Sequence, residues 1–311
     1  MIDTPRTHDV AALLNAQRFG RFHVMLIGLS LLVTFFDGFD MMMLSFAAPH
    51  IRETFGFGPI DLGHIFSSGL AGMVLGGFTL PWLGDRIGRR PTIILGVVGF
   101  GLFTLGTVMV ASKAGFMTMR FLNGLALGGV LPLVWTLNIE LVPQRLRASV
   151  VTIIMVGYSC GCALAGPLTV ALVGRWGWQG VFGAGGIASL VCAVALAIWL
   201  PESLRFLILH QRPGARIAAA LRPIAPDAHA GPQDRFQLAD EAHAQEGAAP
   251  FRLADLFAGP LARITPFLWL GYVASTFGVY FGTSWGPILI EGMHFSRTSA
   301  AYLASMNSVA G

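Results

Sequence analysis

Seven long apolar stretches, separated by short polar segments, set the pattern of this 311-residue chain. They run approximately over Phe22–Ala48, Leu62–Leu83, Thr92–Ala111, Phe116–Val142, Val150–Val173, Val181–Leu200 and Pro266–Ile290. Each supplies the ~20 apolar residues that a helix needs to cross ~30 Å of hydrocarbon. An eighth begins near Ser299 and meets the chain end at Gly311. The glycines and prolines within these stretches are tolerated in membrane helices, where neighbouring helices resatisfy the backbone. The pattern predicts an all-α membrane protein. Its organisation is a polar N-terminus (1–21), a six-helix bundle (22–203), a polar central loop (204–262) and the start of a second bundle (263–311). A complete second bundle of six would need about four more spans.

Composition and charge sharpen this picture. The chain is 54% hydrophobic and 12% charged, about half the charged fraction of a soluble domain. That excludes disordered and collagen-like chains and a disulfide-rich secreted domain. Cys160, Cys162 and Cys192 lie in apolar runs and read as small buried hydrophobes. The net charge of +4 does not indicate a nucleic-acid partner, because the cations alternate between loops. Fifteen of the 20 Arg and Lys residues fall in the N-terminus and the loops after spans two, four and six. The other loops hold only Arg52, Lys113, Arg175 and Arg297. By the positive-inside rule, the N-terminus and the central loop are cytoplasmic. Residues 1–21 show no cleavage site, so the first span is expected to act as its own insertion signal. Within the central loop, Leu204–Gln211 and Ala215–Ile224 suit short helices on the inner membrane surface, and the remainder reads as a flexible linker.

Three charges sit inside the apolar spans, where each costs roughly 2.5–3.5 kcal/mol on insertion scales. Asp37 and Asp40 fall in the outer half of span one, and Arg120 lies one turn into span four. Asp37 stands about 22 Å up its helix at 1.5 Å per residue, a level compatible with Arg120. The i, i+3 spacing turns both acids the same way, and Gly38 between them allows a close backbone approach. A static ion pair between spans one and four, or acids hydrated at the outer rim, is the plainer account. Two mutually repelling carboxylates suit a transferable proton better than a fixed bridge to one cation. The planar guanidinium of Arg120 matches a carboxylate bidentately. Phe36, Phe39, Trp135, Tyr158, Tyr280 and Trp285 are candidates to sandwich a planar ring, although packing against lipid is the commoner fate of any one of them.

A second cluster of charge occupies the cytoplasmic loops. Asp85, Arg86, Arg89 and Arg90 follow span two, Glu140 and Arg147 lie around the end of span four, and Glu202 and Arg205 close span six. Acid and base recurring at alternate loops would serve as inter-helix latches that bias a two-state equilibrium. The alternative is positive-inside arginine with incidental acids. Gly157-Tyr158-Ser159-Cys160-Gly161 matches a hydrolase elbow pattern but lies in an apolar span instead of a strand–turn–helix, and His23, His50 and His64 stand only at span ends, with no His in a span interior. Its glycines read as helix-packing contacts. The sequence offers no metal cluster, nucleotide motif or cofactor signature, and an enzyme is not expected.

These residues carry a resemblance. The Asp-Arg-x-Gly-Arg-Arg loop at 85–90, the Arg-x3-Gly-x3-Gly run from Arg120 to Gly128, Gly161 to Pro167, and Pro201-Glu202-Ser203 together resemble the major facilitator superfamily. Asp37-Gly38-Phe39-Asp40, Ala48-Pro49 and Trp285-Gly286-Pro287 are similar to the aromatic acid:proton symporters of bacteria. The likeness covers the chain outside the central loop. It implies a monomeric inner-membrane importer of an aromatic carboxylic acid, coupled to a proton through Asp37 and Asp40. Arg120 would be the substrate cation, and Asp85 and Arg89 gating residues. The position four before Asp85, a glycine in the family's loop motif, is Pro81 here. Drug, sugar or organic-cation carriage on the same fold, and a non-transporting sensor, are the rival expectations.

Overall fold

The computed structural model describes residues 6–228, 230–238, 256–259 and 261–310. Its helices follow the apolar pattern but overrun it. α1 (Val10–Ala16) precedes α2 (Arg21–Phe55), α3 (Pro59–Ile87), α4 (Arg89–Thr107), α5 (Lys113–Leu127) and α6 (Val130–Leu141). Then come α7 (Arg147–Trp199), α8 (Leu204–Leu209), α9 (Gly214–Leu221), α10 (Leu261–Gly292) and α11 (Arg297–Ala310). α2 runs through Pro49 and stops at Gly56, whose φ of 69° ends the helix with a left-handed residue. α5 and α6 meet at Gly128-Gly129 and form one crossing.

α7 holds two spans, not one. A continuous helix of its 53 residues would be about 80 Å long. Gly177, at φ 65° and ψ −172°, breaks it, a conformation open to glycine and strained for other residues. The arms double back, for Gly161 in the first and Gly185 in the second both press against Phe39 of α2. Small residues set these approaches. A methyl group on Gly38 would overlap the carbonyl of Tyr158, and one on Gly161 the carbonyl of Phe35. Gly157 likewise packs against Leu31 and Thr34, so the elbow-like motif is a helix contact. The α3–α5 seam is built in the same way from Gly72 and Gly124.

The polar segments at the N-terminal end form a cap. Strand β1 (Thr7–Asp9) pairs in parallel with β2 (Arg235–Gln237), an element absent from the sequence reading. Asp234 accepts from the backbone N–H groups of Gly231 (2.7 Å) and Arg6 (3.0 Å) and lies 3.0 Å from His8 Nε2. The two short helices expected in the central loop are present as α8 and α9, but they do not merely lie on a surface. Leu207, Ile217 and Leu221 join Val10 and Leu14 of α1 in the core that continues into α2 and α6. The flexible-linker reading is therefore corrected up to residue 238. Residues 239–255 of that expected linker lie outside the described residues. α10 packs on α2 and α11, and α11 packs on α7. Most of α10's large apolar side chains are exposed.

Candidate functional site

The two acids of α2 and the cation of α5 meet in the interior. Asp37, Asp40 and Arg120 are 4%, 7% and 8% exposed. Glycine seams hold α2 close to α7 and α3 close to α5 on either side of them. Arg120 Nη1 donates to Asp40 Oδ1 at 2.8 Å. The same oxygen accepts from Asn123 Nδ2 at 3.2 Å, and that amide also lies 3.3 Å from Thr104 Oγ1 of α4. Asp40 is thus held by two side chains of α5, one of which is braced in turn against α4.

Asp37 is not. Among the described residues its carboxylate makes no hydrogen bond or ion pair, although it lines the same small cavity as Asp40 and Arg120. Tyr280 of α10 closes the cavity, which has about 10 Å³ of room. That is about the minimum for one water. The Nε of Arg120 and the Oδ1 of Asn123 are buried without partners. Buried polar groups are normally satisfied, so one acid and one edge of the guanidinium are left with unused bonding capacity.

The aromatic candidates divide. Tyr280 borders the cavity, and Tyr158 stands beside Gly38, whose carbonyl accepts from the Cys162 Sγ at 3.2 Å. Phe36, Phe39, Trp135 and Trp285 do not line it. Phe36 is in the core shared with α6, and Phe39 stacks on Phe35 with centroids 6.3 Å apart. Trp135 flanks that first core with its indole N–H unpartnered, and Trp285 packs on Phe66 at 5.8 Å. Asn123 and Thr104 were missed by the sequence reading. The available signal was a polar side chain inside a span, three residues beyond Arg120 and so on the same helix face.

The loop charges assemble at the end carrying the N-terminus. Arg89 bridges Asp85 (3.2 Å) and Glu140 (3.1 Å). Glu202 caps α4, with its Oε1 accepting from the backbone N–H groups of Arg89 (3.0 Å) and Arg90 (3.2 Å). Glu140 also hydrogen-bonds the Ser203 hydroxyl, and Arg205 adds its positive field to Glu140. Arg90 donates to the Ala197 carbonyl at 2.6 Å. Arg86 instead lies over the Trp82 ring at 3.9 Å, and Arg147 Nε donates to the Val142 carbonyl at 3.4 Å. Pro81 is accommodated within α3, close against Gly129. The opposite end carries a cluster the sequence did not announce. Arg297 pairs with Glu53 of α2 and, at 2.8 Å, with Glu291 of α10.

Comparisons with known proteins show the family and the fold. The model of the Major Facilitator Superfamily matches residues 30–311. The chain is 33% identical over 305 residues to a 4-hydroxybenzoate transporter, PcaK, of Pseudomonas putida, covering 97% of this chain and 67% of that protein. It is 31% identical to a gallate transporter of Pseudomonas putida, over 97% of this chain and 66% of the relative. A benzoate transport protein of Acinetobacter baylyi is 27% identical over 97% of the chain and 65% of its own length. Among solved structures, a partially occluded inward-open xylose transporter XylE from E. coli superposes with a TM-score of 0.69 at 17% identity. That match covers 93% of this chain and 70% of XylE and bears on the fold alone.

Proposed function

The chain belongs to the Major Facilitator Superfamily, and from that premise we propose that it takes part in importing an aromatic carboxylic acid together with a proton. It is a multi-pass membrane transport protein and not an enzyme. It spans about two-thirds of the length of the curated relatives it matches, and the activity proposed is that of the whole transporter. The observation that carries the reading is the half-satisfied triad. Arg120 holds Asp40 with one nitrogen and keeps Nε unpartnered, while Asp37 stands unpaired in the same cavity.

The chemistry follows from that asymmetry. Protonation of Asp40 would weaken its charge-assisted bond and free the guanidinium for the carboxylate of the cargo. Asp37, with no partner to lose, is the place for a proton to enter or rest. The cavity is too small for a benzoate-sized anion, so loading requires the helices to part, as alternating access does around a midplane site. Import of an anion against a negative-inside potential costs about 2.3 kcal/mol per 100 mV. One co-transported proton cancels that charge, and each unit of inward pH gradient adds about 1.4 kcal/mol.

The arginine asymmetry supports a cytoplasmic N-terminus in a bacterial inner membrane. The Asp85–Arg89–Glu140–Glu202 cluster then reads as a cytoplasmic latch. An organic-cation cargo is disfavoured by Arg120 in the pathway. The test is uptake of radiolabelled benzoate-type acids by cells producing the protein. Uptake should collapse with the pH gradient, persist when the membrane potential is clamped to zero, and be competed by aromatic acids but not by organic cations. Uptake indifferent to the pH gradient would refute proton coupling.

A further inference from the structure

A large groove lies away from the triad, at the end carrying the N-terminus. It encloses about 900 Å³ between α2, α4, the end of α7, α8 and α9. Its walls have two characters. At one end stand three arginines, Arg90, Arg212 and Arg216. At the other, Ile94, Leu95, Val98 and Ile198 form an apolar wall. Val98 is eight residues beyond Arg90 and so about 12 Å further along α4, inside the apolar span. Leu95, Ile198 and Trp199 are exposed there, and a tryptophan at the last residue of a span marks the membrane interface.

The cations are available. Arg212 and Arg216 are exposed and make no ion pair among the described residues, and the Arg212 guanidinium lies 5.9 Å from the Phe206 ring centre. Arg90 spends Nη2 on the Ala197 carbonyl, while its Nε is buried without a partner. The one acid lining the groove among the described residues, Glu202, is occupied by the backbone N–H groups that begin α4. Its charge is therefore compensated locally.

We propose that this groove binds an anionic phospholipid of the leaflet at that face. The phosphate would be held by Arg212 and Arg216 with Arg90, and an acyl chain would lie along Leu95 and Ile198. A free phosphate would leave the apolar wall bare, and a zwitterionic lipid would bring a cation to face the arginines. A ligand anionic at one end and apolar over the next ~12 Å satisfies both walls. Bound there, the lipid would bridge α4, α7 and the α8–α9 cap beside the Glu202 contact, which places it at the joint between bundle and central loop. This inference does not depend on what the protein carries.

The test is native mass spectrometry of the purified protein from nanodiscs holding phosphatidylglycerol in phosphatidylcholine. The wild type should retain phosphatidylglycerol selectively. Arg212→Ala/Arg216→Ala should lower its affinity about 30-fold, about fivefold per cation near the surface. Arg212→Lys/Arg216→Lys should stay within about fivefold of wild type. The double Arg18→Ala/Arg235→Ala variant removes the same charge from exposed positions outside the groove and should change retention less than twofold. Arg216→Gln alone gives the answer should the double alanine variant fail to fold. Equal retention by wild type and groove variants would overturn the proposal. So would an equal loss in the control variant, equal retention of phosphatidylcholine, or displacement of the lipid by millimolar inorganic phosphate.

Discussion

Asp37 and Asp40 differ by one turn of helix and by nearly everything that stabilises a buried charge. Truncating each to alanine therefore separates the stability cost of a paired acid from that of an unpaired one. Both substitutions remove the same atoms from buried positions of α2, so the packing loss is closely shared. Asp40→Ala additionally strands Arg120, whose Nη1 loses its 2.8 Å partner, and Asn123, whose Nδ2 loses its 3.2 Å contact. Breaking one side of a buried pair costs about 3–5 kcal/mol. Asp37→Ala strands nothing and removes a carboxylate that had no partner. At ~2.1 cal/mol/K per residue, a 311-residue chain shifts roughly 1.5 °C per kcal/mol, so Asp40→Ala should unfold about 5–8 °C below Asp37→Ala. The assay is thermal unfolding in detergent micelles, with Asp40→Ala/Arg120→Ala completing a cycle. That double variant should recover part of the Asp40→Ala loss, since the uncompensated guanidinium is gone. In uptake assays both single variants should fail. The reasoning is refuted if the two single variants unfold together, or if Asp37→Ala is the less stable.

Four further outcomes follow from the same geometry. Asn123→Ala should cost about 1–3 kcal/mol by freeing one side of Asp40, and should weaken apparent affinity for the acid; Asn123→Gln should not restore it, because the longer side chain misplaces the amide. Gly38→Ala should cost about 1–3 kcal/mol in thermal unfolding through overlap with the Tyr158 carbonyl, whereas Gly28→Ala, which meets open space, should be close to neutral. Glu202→Gln should speed hydrogen exchange at the backbone amides that begin α4, since those N–H groups lose a charged acceptor. The Gly231 and Arg6 N–H groups, then the His8 ring, hold the Asp234 carboxyl down to about 2. A depressed value means that its contribution is full above the ordinary carboxylate range and is lost as pH falls from about 3.8 toward 2. Exchange protection of Thr7–Asp9 should fall across that window and be pH-independent there in Asp234→Asn.

Hydropathy period, arginine asymmetry and the cost of charge in hydrocarbon are local properties, and they were legible in the chain. They yielded seven crossings, Asp37, Asp40 and Arg120 as the candidate site, and the loop acids and bases as a cluster. α7 belongs with what was legible, because the polar gap between Val173 and Val181 separated two spans and the reversal at Gly177 falls inside it; only the choice of Gly177 as the turning residue came from the backbone. The β1–β2 pairing joins residues 7–9 to 235–237, and no periodicity within either short segment encodes a partner more than 220 residues away. Packing alone decided which acid is paired. Asp37 and Asp40 look alike in sequence, and the tertiary arrangement gives Arg120 and Asn123 of α5 to one and leaves the other without a partner. Composition also could not separate Tyr280, which closes the cavity, from Phe36, Phe39, Trp135 and Trp285, which are used elsewhere. A linear pattern gives a side chain's depth and face on its own helix, whereas its neighbours across helices depend on which helices pack together and how closely.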